Sequence, residues 1–272
     1  MQNCVTVFYE SFPPKQKAMS PPRLFVRPVL APAAVVQLTA VQSDYVHRVL
    51  RLRAGAFVSL FNERDGQWRA TLTASAASKG PMVAVVGDVQ ERRPDLASAT
   101  TRRPDLWLVF APVKRRLEDV VDSGTQLGVT RFMPALMQRS VVTKTNTERL
   151  CAIATEAAEQ CERLDVPRVD PMVPLALALA GLDKTASVIV CDEQGSRESG
   201  ATPSLMNHLR ATATRAPTVV LVVGPEGGLA PADRVQLCHG QHVHLGPRIL
   251  RAETACVSAL SLVQAAWGDL SC

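Results

Sequence analysis

Two stretches near the carboxyl end concentrate the residues able to do chemistry. Gly224-Pro225-Glu226-Gly227-Gly228 is the first, and Leu245-Gly246-Pro247-Arg248-Ile249-Leu250-Arg251-Ala252-Glu253-Thr254 is the second. Glycines without a Cβ let backbone approach a ligand closely. Arg248 and Arg251 are cations suited to anions, and Glu253 is a carboxylate that can take a proton. The plain alternative is two structural turns with an ion pair at a helix start. No GxGxxG and no GxxxxGK[ST] occurs, so neither an ordinary dinucleotide fold nor a P-loop is supported. Cys238, His239, His242 and His244 crowd the same region. His242 and His244 alternate along an extended run and share one face. No second ligand pair is spaced for a closed zinc site, so a metal is not predicted.

Strands must position these turns. Thr218 to Val223 is an apolar, β-branched run that reads as a buried strand feeding the first turn. His242 to Leu245 reads as a second strand feeding the other. Pro231 suits the first turn of a short helix between them. A final helix runs from about Ala252 to Trp267, with Cys256, Leu260, Val263 and Trp267 on one face and Gly268 at its end. Glycine turns at the ends of neighbouring strands form a crevice for a small ligand.

Upstream, from residue 106, strands and helices alternate. LWLVFAP is a strand; Lys114 to Leu127 is a helix stopped at Gly128; VTRFMPALM is a strand; Asn146 to Cys161 is a helix; SVIVCDE (187–193) is a strand; Thr202 and Pro203 open another helix. That grammar implies an α/β domain with a largely parallel sheet covered on both faces. Residues 20–93 read differently, as short strands with one helix capped by Ser43, in the manner of a small β-barrel. AFVSLFN and QWRATLTAS flank Glu63-Arg64-Asp65-Gly66 as a hairpin. ERRPDLASATTRRPD (91–105) reads as linker, giving a leader at 1–19, a first domain at 20–93, a linker at 94–105 and a second domain at 106–272.

The chain has 272 residues, 47% of them hydrophobic and 20% charged, which favours folded domains over disorder. Residues 20–93 hold ten Arg or Lys against five acids, an excess equal to the whole chain's net charge of +5. A small basic domain rich in arginine suits an RNA backbone, and a solvated surface is the bland alternative. Seven cysteines with no CxxC read as reduced thiols of a cytoplasmic protein. No run of 18 apolar residues suggests a membrane span. Residues 1–19 do not read as a signal peptide.

Taken together, GPEGG and LGxRILRxETA resemble the RsmE family of 16S rRNA uridine-N3 methyltransferases, of the SPOUT class. The resemblance extends to KRRLEDVVDSGTQLGV (114–129), to Pro134 with Arg139-Ser140-Val141-Val142, to AAEQCERLDVP (157–167), and to RLFV…HRVLRLRAG (23–55). It covers about residues 20–270.

The resemblance implies a PUA-like RNA-binding domain followed by a SPOUT domain with a carboxyl-terminal trefoil knot. It implies S-adenosylmethionine as cofactor, 16S rRNA of the small subunit as substrate, a homodimer, and no metal. It places cofactor contacts at Cys191 and Glu193, at Gly224, Pro225, Glu226, Gly227 and Gly228, and at Leu245, Gly246, Ile249, Leu250, Thr254 and Ala255. Arg251, Glu253 and Arg139 become the catalytic candidates. Arg23, Arg27, Arg48, Arg51, Arg53 and Arg248 become the RNA-binding ones. Gln160 and Arg163 are weaker candidates that brace loops or a dimer. The sequence departs from the family at Gln126, where a glutamate is usual, at Leu229-Ala230, where phenylalanine and serine are usual, and at His47, which stands alone where a histidine pair is common. Two other readings stay open: a SPOUT enzyme acting on another base or a ribose 2′-hydroxyl, and a non-catalytic RNA-binding module.

Overall fold

The chain folds around two sheets, seen in a computed structural model that describes residues 21–73, 83–91, 104–193, 202–212, 216–268 and 270. The expected leader, Arg92, Arg93 and most of the expected linker lie outside the described residues.

The first sheet orders its strands β1 (Arg23–Phe25), β3 (Phe57–Asn62), β4 (Gly66–Thr73), β5 (Val83–Glu91) and β2 (Val35–Gln37). β1 runs parallel to β3, and the other pairs are antiparallel. The β3–β4 hairpin forms where the sequence predicts it. Its turn is built by Asn62, whose Oδ1 accepts from the backbone N–H groups of Arg64 and Asp65 at 3.1 and 2.7 Å. The Asp65 carboxylate accepts from Leu30 N–H and Arg64, and the Arg64 guanidinium holds it well below the usual carboxylate range. Leu24, Leu60, Trp68 and Leu72 are among the buried residues between this sheet and the helical segment that follows β2.

That segment corrects the sequence expectation. The helix α1 (Ala40–Asp44) is capped by Thr39, not Ser43, in a reciprocal box with Gln42. It passes into a π-turn, Tyr45–Val49, that buries Val46 and leaves Val49 exposed. Arg51 then takes a left-handed backbone, φ 55°.

The second sheet is parallel throughout. Its order is β12 (Gln241–Val243), β10 (Ser187–Cys191), β11 (Thr218–Val223), β6 (Asp105–Phe110), β7 (Arg131–Leu136) and β8 (Arg168–Val169), with β9 (Val173–Pro174) also on β7. Every residue of β11 is buried, as a strand covered on both faces requires. Its side chains divide by alternation. Val219, Leu221 and Val223 face one core with α2 (Leu117–Gln126), α3 (Thr147–Gln160), α5 (Leu205–Ala211) and α7 (Ala252–Trp267). Val220 and Val222 face the other, with α4 (Leu175–Ala180) and with Leu229 and Leu237, which flank α6 (Pro231–Gln236).

Several boundaries move. α2 begins at Leu117, three residues after Lys114, because Arg116 is left-handed at φ 63°. α5 is capped by Ser204, and β12 stops at Val243, with only a single bridge at His244. β2, β8, β9 and α4 have no counterpart in the sequence reading. Gly128, φ 83°, ends α2 as expected.

Candidate active site

The carboxyl ends of β10, β11 and β12 open on one crevice. Cys191, Asp192 and Glu193 line it after β10; Val223 and residues 224–228 after β11; His244, Leu245, Gly246, Arg248, Ile249 and Leu250 after β12; and Ala252 and Ala255 from α7. A crevice at strand carboxyl ends is where open parallel sheets bind ligands.

Two features of Gly228 favour glycine, the backbone angle above all. Its φ is +72°, and a Cβ there would fall on the Glu193 carboxylate. Gly246, φ +117°, faces open space, so only its backbone angle demands glycine. Gly227 differs: a Cβ would make ordinary contact, 3.5 Å, with the Arg139 side chain. Burial pushes the Cys191 thiol up to about 12, with the Asp192 carboxylate adding to it, and raises the Cys256 thiol too. Neither is a nucleophile at neutral pH.

Most of the expected cofactor residues meet in this crevice. Thr254 does not; it is exposed on α7, one position from the lining residue Ala255. The three catalytic candidates stand outside the lining. Arg251 occupies the N-cap position of α7 and is exposed, while Glu253 is half-buried in the first helical turn. Among the described residues no ion pair joins them. Arg139 is exposed, and its Nη1 donates to the Gly227 carbonyl at 2.9 Å. Val223, His244 and Ala252 line the crevice without having been expected. Their positions follow from strand ends and helix phase, which the motifs do not encode.

The RNA candidates divide. Arg48 is exposed on the helical segment and pairs with Asp44 at 2.7 Å, while Arg27, Arg51 and Arg53 are exposed on the loops after β1 and before β3. Arg248 lines the crevice instead. Arg23 is a correction. Its guanidinium donates to the carbonyls of Ala158, Glu159 and Arg163 at 2.9, 3.0 and 2.6 Å and to Gln67 at 2.6 Å. It also lies 4.1 Å over the Phe61 ring. Those donors brace β1 against the end of α3 and are not presented to a phosphate. Arg163 likewise braces, donating to the Thr125 and Val129 carbonyls at the end of α2. Gln126 is exposed and bonds Asp122 of its own helix at 2.8 Å.

A family model described as an RNA methyltransferase domain matches residues 101–264. Ribosomal RNA small subunit methyltransferase E of Synechocystis is 31% identical over 268 residues, covering 94% of this chain and 82% of that one. This chain belongs to that family. The Rickettsia conorii member is 27% identical, covering 89% of this chain and 94% of its own. Among solved structures, ribosomal RNA small subunit methyltransferase E from Neisseria gonorrhoeae, bound to S-adenosyl methionine, superposes with a TM-score of 0.75. It is 25% identical and covers 92% of this chain and 99% of its own. The observed fold is thus the SPOUT-type parallel sheet that the resemblance implies, preceded by a curled mixed sheet consistent with a PUA-like barrel.

Proposed function

We propose that this chain transfers a methyl group from S-adenosylmethionine to N3 of a uridine in 16S rRNA of the small ribosomal subunit. The carrying observation is the crevice at three parallel strand ends, in a chain of this family.

The residues present fit the cofactor. Gly228 and Gly246 expose backbone for close approach, Leu245, Ile249, Leu250 and Ala255 offer apolar contact to a base, and Glu193 and Glu226 suit hydroxyl and cationic groups. S-adenosylmethionine supplies an electrophilic methyl carbon on a sulfonium. Uridine N3–H is a weak acid, so the protein must remove its proton or stabilise the resulting charge. Glu253 takes that proton, directly or through water, and Arg251 and Arg139 stabilise the uridine oxygens or a flanking phosphate. Arg248, at the crevice, and Arg27, Arg48, Arg51 and Arg53, on the helical segment and loops of the first domain, hold RNA backbone. The proposal includes a trefoil knot in the second sheet's domain, a boundary between domains within residues 94–105, a homodimer and a cytoplasmic location. Among the described residues no helix is long and apolar enough to cross a membrane.

Nucleoside mass spectrometry of 16S rRNA from a strain lacking the gene tests the assignment. An N3-methyluridine should vanish and return with the wild-type gene. Its persistence sinks the assignment, and loss of a different methylated nucleoside moves the acceptor. RNA binding without S-adenosylmethionine binding by calorimetry makes the chain a binding module.

A further inference from the structure

Two adjacent side chains on α6 reach the loops around the crevice without lining it. Asp233 is 2% exposed. Its Oδ2 accepts from Ala230 N–H at 3.0 Å and its Oδ1 from Gln138 N–H at 3.1 Å. Arg234 donates through Nε and Nη2 to the two oxygens of Asp192, each at 2.9 Å, and through Nη1 to the Leu229 carbonyl at 2.5 Å. Asp192, 6% exposed, also lies 3.2 Å from Nδ1 of His242 on β12. One helical turn therefore joins the loop after β10, the loop after β11, the strand that feeds the third loop, and the segment carrying Arg139.

We infer that Arg234, through its fork on Asp192 and its own approach of 3.9 Å to the Glu193 carboxylate, is a positioning residue that sets Glu193 against Gly228 in the cofactor crevice. The inference rests on the cofactor reading above. A forked pair fixes the plane of the carboxylate as well as its distance. Asp192 lines the crevice itself, between Cys191 and Glu193, so fixing its plane fixes the backbone that carries all three. The contact it sets is close, since a Cβ at Gly228 would meet the Glu193 carboxylate where it now stands. Fold stability alone does not call for this pair: burying two charges costs desolvation, and apolar residues of similar volume serve stability as well or better.

The test compares three variants by cofactor titration, by unfolding without cofactor, and by steady-state kinetics on rRNA. Arg234→Lys keeps the charge and loses the fork. Arg234→Met takes the guanidinium from the buried Asp192 and leaves His242 beside it. Asp192→Leu with Arg234→Met removes the pair and restores apolar packing. Arg234→Lys should weaken S-adenosylmethionine binding by about tenfold or more, with KM for the cofactor rising more than kcat falls. The double variant should recover the unfolding temperature lost in Arg234→Met; because Asp192 itself lines the crevice, Arg234→Lys, which leaves that wall intact, carries the affinity comparison. Recovery of affinity along with stability, or wild-type affinity in Arg234→Lys, reduces the pair to fold stabilisation and overturns the inference. If Arg234→Met does not fold, the other two variants decide. Failure of the wild-type protein to bind S-adenosylmethionine in the same titration overturns the functional reading, and this inference with it. Tight wild-type binding beside unmoved variants overturns the inference alone.

Discussion

At the scale of the residue, the contrast between Gly227 and Gly228 separates a structural demand from a ligand's demand. Gly228→Ala puts a methyl on the Glu193 carboxylate and strains a positive φ. It should lower both the unfolding temperature without cofactor and the affinity for S-adenosylmethionine. Gly227→Ala meets only an ordinary contact with Arg139. It should leave the unfolding temperature near wild type, so a selective loss of affinity there places the cofactor against that glycine. Glu253→Gln removes the proposed base and should lower kcat by roughly 10²–10⁴-fold with cofactor affinity unchanged; a kcat within twofold of wild type would remove Glu253 from the mechanism. The glycine turns and their charged rim are legible in sequence because their chemistry is local. Arg23 is not. It is one arginine in a basic segment, and its carbonyl partners lie 135 to 140 residues away. Arg234 is equally silent, since its Asp192 partner is 42 residues distant and nothing local to Arg234 announces the pairing.

At the scale of the element, the junction of β1 with α3 is the informative case. Glu159, near the end of α3, accepts from Phe25 N–H at 2.9 Å. Burial pushes its carboxyl above the usual glutamate range, only partly offset by that N–H and by Arg23. An acid whose folded-state pKa is raised binds its proton more tightly when folded. Stability from this group is therefore highest below the unfolded value and falls as pH rises through the folded one. Glu159→Gln keeps an acceptor for Phe25 N–H and removes the buried charge. It should raise the unfolding temperature at pH 7 and leave it unchanged at pH 4 or below, as calorimetry would show. The strands and helices of the second sheet read well from sequence, since β11 and α7 carry unbroken apolar patterns. Their starts do not. Arg116 and Thr39 set boundaries through backbone angle and side-chain capping, and the apolar periodicity used for α1 and α2 contains neither signal.

At the scale of the molecule, the proposed work divides between a basic first sheet and a crevice in the second. Arg51→Ala and Arg53→Ala should each weaken rRNA binding and reduce its salt slope by about one, without changing cofactor affinity. Arg23→Ala should do the reverse. Three carbonyls lose their donor, which destabilises the protein by about 2–4 kcal/mol, while the salt slope holds. Equal slopes for all three variants would remove the distinction between grip and brace. The brace has a metric consequence. Arg23 rivets the first sheet to the end of α3, and Glu159 adds a further hydrogen bond beside it. On the proposed reading, the reach from gripped backbone to methylated base is a fixed length, and the enzyme selects its uridine as a caliper selects a part: by span, with no need to read the bases between.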